Sequence, residues 1–146
     1  MRALRFKFAI PLVIISFVFA SCSDDPEPKI QVRANNIVVE NGDDFAGAIN
    51  GDFTSKGGSG SRTFNWQNSM TTADYNADIT ATTEGVFNIV VTDADANIVL
   101  DETIDSNSPD DSIDGVTAAG TAGIWSVTIT LTNFDGDGSY SLSEGN

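Results

Sequence analysis

From Phe45 to Leu142 the chain alternates apolar and polar side chains with a period of two, and this rhythm limits what it can fold into. Phe45, Ile49 and Phe53 lie in phase with Gly47 and Gly51. Phe64 and Trp66 follow, then Tyr75, Ala77, Ile79 and Ala81, then Phe87, Ile89 and Val91. Ile98, Leu100 and Ile104 share a phase, as do Trp125, Val127, Ile129 and Leu131, and Tyr140 with Leu142. A period of two sends successive side chains to opposite faces of a strand, so each segment has one face to bury and one to leave in water. Half-buried antiparallel strands have this pattern. Clusters of Gly, Asn and Asp separate the segments, and no window after the N-terminal leader has helical spacing. The expectation is an all-β fold, an antiparallel β-sandwich or jelly roll of seven to eight strands over residues 44–146. Trp66 and Trp125 fall in the apolar phase and belong in its core. The Gly/Ser stretch 56–61 reads as a break between strands, and Phe134 falls in a turn.

The N-terminus reads as an address. Arg2, Arg5 and Lys7 precede an apolar run of 13 residues at 8–20, shorter than the roughly 20 that span a bilayer as a helix. A basic flank, a short apolar run and the small residues Ala20 and Ser21 give the layout of a signal peptide over 1–21. Phe19-Ala20-Ser21-Cys22 resembles the lipobox of bacterial lipoproteins. That resemblance implies cleavage before Cys22, acylation of Cys22 (palmitate among the chains) and anchoring in a membrane through the lipid. Ser23-Asp24-Asp25 is similar to the acidic tether of Bacteroidetes surface lipoproteins, which implies a surface-exposed place on the outer membrane. Residues 22–43 then form the lipidated Cys and a flexible tether, with 23–35 as spacer and a candidate edge strand at 37–39.

Two later segments carry a second resemblance. The hairpin at 90–100, with Gly123-Ile124-Trp125-Ser126-Val127 and Gly138-Ser139-Tyr140-Ser141-Leu142, resembles the bacterial pre-peptidase C-terminal domain across residues 62–143. The resemblance implies a compact β-sandwich and speaks to fold alone.

Composition removes several functions. The chain has no histidine and one cysteine, which excludes Ser-His-Asp or Cys-His catalysis, His-ligated metal, an internal disulfide and a four-cysteine zinc site. Its net charge of −14 opposes nucleic-acid binding, which draws on Lys and Arg to neutralise phosphates. After Arg62 there are 14 acidic residues and no basic one. Such a balance keeps an exported domain soluble.

The acids concentrate in three segments rich in oxygen ligands: Asp93-x-Asp95-x-Asn97, Asp110-x-Ser112-x-Asp114 and Asp135-x-Asp137-x-Ser139. Calcium takes six to eight oxygens, and alternate residues of a tight turn can direct several at one ion. The same residues are what plain turns demand, so both readings stand. The middle segment is no EF-hand, because Thr121 occupies the twelfth place where Glu belongs. Asp111-Ser112-Ile113 matches the Asp-Ser/Thr-aliphatic O-glycosylation motif of Bacteroidetes, which makes Ser112 a candidate acceptor. Glu102, in the inward phase of Leu100 and Ile104, reads as a strand-end residue or a buried acid. No base or nucleophile is placed for chemistry, so the chain does not read as an enzyme.

The leading expectation is a non-catalytic, surface-anchored lipoprotein, a structural or interaction module of the cell envelope with an envelope protein as partner. The alternative is a carbohydrate-binding module, with a glycan partner and Ca2+ as its candidate cofactor, using an exposed Trp66 or Trp125. A third reading takes Thr80, Thr82, Thr128, Thr130 and Thr132 as a repeating face for a crystalline ligand, although outward Thr is also ordinary strand chemistry.

Overall fold

A computed structural model describes residues 30–146; the leader, Cys22 and the segment to residue 29 lie outside the described residues. Nine strands and no helix occur among the described residues: β1 (Gln31–Ala34), β2 (Ile37–Val38), β3 (Asp44–Ala46), β4 (Ile49–Asn68), β5 (Ala73–Ala81), β6 (Val86–Thr92), β7 (Ile98–Asp105), β8 (Ser112–Val116) and β9 (Gly123–Glu144). The fold is all-β, as the alternation requires. All pairings are antiparallel except β3 on β4, which is parallel.

β4 and β9 run side by side for their whole length and belong to both layers of the fold. Their outer halves, β4 up to Lys56 and β9 from Asp135, sit in a layer ordered β2-β1-β4-β9-β5-β8. Their other halves sit in a layer ordered β3-β4-β9-β6-β7. Between the halves the ladder slips twice. Gly57, at φ 74°, is the extra residue on β4; Asn133, at φ 46°, lies in the extra length on β9. A bulge of this kind bends a strand and strengthens its twist, and a left-handed residue makes the bend. Ser59 stitches the crossing: its hydroxyl accepts the Asn133 amide at 2.8 Å and donates to the Asn133 side chain at 3.3 Å.

The fold therefore closes around the inward residues of one bent ribbon and its neighbours. Phe53 of the first layer stacks on Phe87 of the second, with centroids 4.7 Å apart and planes at 14°. Phe134 meets Phe53 edge-on at 5.7 Å, and Phe64 faces Tyr140 at 6.4 Å. Glycine makes room for two of these rings: a Cβ on Gly51 would strike the Tyr140 ring, and one on Gly138 would strike Phe53. Tyr140 completes its burial by donating its hydroxyl to the Arg33 carbonyl at 2.8 Å.

Four expectations change. Residues 31–34 are not spacer but strand: Val32 and Ala34 are buried, and β1 gains a full ladder on β4. The polar Gln31 and Arg33 between them hid a half-buried strand, and with it the fold begins before residue 44. The stretch 56–61 is no break, because β4 passes through it by bulging. Phe134 lies within β9 and is buried, since the bulge at Asn133 resets the alternation. Ile98 is 63 % exposed, because the β6–β7 ladder slips between Val91 and Thr92 and Val99 turns inward instead.

Candidate functional site

The three acidic segments meet different fates. Asp93-x-Asp95-x-Asn97 is the β6–β7 turn, and its carboxylate looks inward. Asp93 is 4 % exposed and accepts the amides of Asp95 (3.0 Å), Asn97 (2.8 Å) and Thr121 (2.8 Å), along with the Asn97 side-chain amide. The Thr121 amide does most to hold this carboxyl below its usual range; burial opposes it, and the donors of Asn97 and Asp95 add to the lowering. Asp95 accepts the Thr121 hydroxyl at 2.7 Å. An aspartate bonding the backbone two and more residues on is a turn device. Here it also fastens the turn to the loop ahead of β9.

Ser112 and Asp114 are not in a loop. They lie on edge strand β8, Ser112 opposite Asp78 and Asp114 opposite Asn76, both exposed. Asp110 and the neighbouring Asp111 stand just before it, exposed. Asp135, Asp137 and Ser139 are mid-strand in β9, between β4 and β5. The register joins the last two segments on one surface, the outer face of the first layer. One row runs Arg33, Asp52, Ser139, Asp78, Ser112; the next runs Thr54, Asp137, Thr80; on the other side lie Asn50, Ser141, Asn76, Asp114. Rows two residues apart are about 6.7 Å apart and strands about 4.8 Å apart. The carboxylates thus form an open lattice, and among the described residues no three His, Cys, Asp or Glu side chains gather to hold a metal ion. Asp52, Asp74 and Asp78 complete this acidic face, and the signal that finds them is their outward phase.

Glu102 is half-buried on β7. Its charge, after burial and ahead of Asp114, raises the Tyr75 hydroxyl above its usual pKa. Trp66 and Trp125 are both fully buried, so neither offers a ring to solvent.

The outer face of the second layer has the opposite character. Ser61, Thr63 and Asn65 of β4 pair with Thr130, Thr128 and Ser126 of β9, which in turn pair with Asn88, Val90 and Thr92 of β6. None of these nine is charged. Asp44 and Asp101 flank the face from β3 and β7, and each carboxylate accepts a side-chain amide from it at 2.9 Å, from Asn65 and Asn88 respectively. At one end this face opens into a groove of about 380 Å³ lined by Asp44, Phe45, Ala46, Asn65, Gln67 and Ile124. The alternation puts Thr128 and Thr130 outward together, but Thr80 lies beside Asp137 on the acidic face, so the five threonines form no single face and the contrast needs the register of three strands. No protein-family model matches the chain, and no curated protein matches it.

Proposed function

We propose that the chain is a non-catalytic lipoprotein anchored through acylated Cys22 in the outer membrane, with its β body displayed at the cell surface as an interaction module of the envelope. The basic flank, the short apolar run and the lipobox-like Phe19-Ala20-Ser21-Cys22 support this most. Ile30, eight residues beyond Cys22, lies against Gly60 at the bend of the ribbon. Eight extended residues reach about 29 Å at most. An anchor at Cys22 would keep the bend within about 29 Å of the membrane surface. Each buried acyl CH2 contributes about 0.8 kcal/mol, so several chains anchor durably. The sandwich resemblance to the pre-peptidase C-terminal family belongs to the same proposal, as a likeness of fold.

Labelling cells with an alkyne palmitate analogue tests the reading, comparing the wild-type chain with Cys22→Ala. The expected result is label and outer-membrane recovery for the wild type and neither for the variant. Equal membrane recovery of both would overturn it.

A further inference from the structure

We infer that the groove between β3 and the start of β9 binds an uncharged carbohydrate chain. The proposal gives a ligand class to the module described above and rests on its surface display. The groove's volume, about 380 Å³, lies at the lower end of the range for small-molecule sites, roughly 300–1,000 Å³. Its lining combines two chemistries. Asn65 donates to Asp44 Oδ1 at 2.9 Å, which fixes both groups and leaves Asp44 Oδ2, the Asn65 carbonyl and the exposed Gln67 amide to meet a ligand. Beside them Ile124, 53 % exposed, and Ala46 offer apolar surface.

Planar amides and a carboxylate that accept and donate across adjacent hydroxyls, next to a patch for C–H groups, suit a sugar ring. Other ligands fit worse. A nucleic acid or anionic polymer finds no basic side chain in the lining and a carboxylate in its way. A cation finds one carboxylate, already half engaged, where calcium takes six to eight oxygens. A lipid tail needs enclosure, and this groove is open. The uncharged hydroxyl and amide face continues from the groove along β9 and gives a longer chain a surface without opposing charge. Gln67 lies seven residues from Gly60 on β4, about 23 Å from where the chain enters the fold. The groove therefore sits at the end of β4 away from the bend.

The test is a titration of the full chain in detergent, followed by amide NMR shifts, with cellohexaose, xylohexaose, mannohexaose and maltohexaose, and with polygalacturonate as the charged control. The expected result is saturable shifts at residues 44–46, 65–67 and 124 with at least one neutral oligosaccharide and none with polygalacturonate. Gln67→Ala and Ile124→Asp alter exposed side chains, so their spectra stay folded while binding weakens about tenfold. Thr103→Ala, on β7, binds as wild type. No shifts at millimolar sugar, shifts that map elsewhere, or a Gln67→Ala variant that binds undiminished would each overturn the site. So would shifts at 44–46 produced by an extended neutral peptide alone, which would assign the edge to strand addition. None of these results bears on acylation of Cys22, so the two proposals fail separately.

Discussion

Trp66 and Trp125 stand directly opposite each other in the β4–β9 ladder, ring centroids 6.0 Å apart and planes at 89°. Each indole N–H leaves the core to bond a loop carbonyl at 2.8 Å, Gly47 for Trp66 and Thr121 for Trp125. The pair thus fills the interior and pins two loops at the same end. An edge-to-face aromatic pair adds roughly 0.5–1.5 kcal/mol beyond its area.

Truncating Trp125 to Ala should destabilise the fold by about 3–5 kcal/mol, from lost burial and the cavity left behind. Trp125→Phe keeps a ring but deprives the Thr121 carbonyl of its donor, and should cost less. Urea unfolding followed by fluorescence of the remaining Trp66 gives both values.

Asp93 makes stability depend on acid. The folded state holds its carboxyl below the ordinary value of 3.8, the Thr121 amide first among the causes. The stabilisation is therefore complete above that value and is lost as pH falls through the lower folded pKa. Glu144, lowered chiefly by the Ser69 amide, acts in the same direction. Asp93→Asn should unfold more easily at neutral pH and lose less than the wild type on acidification below 3.8. Denaturation midpoints from pH 7 to pH 2 measure the difference.

The bend in the ribbon rests on two left-handed residues. Gly57→Val should cost about 1–2 kcal/mol, because a β-branched side chain opposes φ near 74°. Asn133→Gly should be tolerated better than Asn133→Val, since glycine accepts the conformation although the Ser59 contact is lost. Thermal melts of the three variants rank them.

Calcium at millimolar concentration should leave the melting temperature unchanged. Asp93 spends its oxygens on protein donors, and Asp135, Asp137 and Ser139 follow one another along a strand instead of closing round an ion. A rise in melting temperature, or calorimetric heat on addition, would contradict this.

How far the fold could be read from the chain depends on where the period of two is kept. Trp125, Val127, Ile129 and Leu131 keep it without a slip, and every one is buried. Phe134 and Ile98 lie beyond slips in a ladder, where phase carries no information. β1 has no signature of its own, because four residues with two polar members resemble tether until the β4 ladder is present. The acidic segments were visible as composition, but turn and strand use the same Asp and Gly. Only pairing partners separate Asp93, turned inward, from Asp137, turned out. The groove at Asp44, Asn65, Gln67 and Ile124 joins three distant stretches of chain and leaves no local trace.

Intact mass spectrometry of the protein taken from native membranes tests the central claim most directly. The account predicts a chain that begins at Cys22 and carries fatty acyl groups on that residue. A mature chain with an unmodified Cys22, or one that still holds the leader, would contradict it.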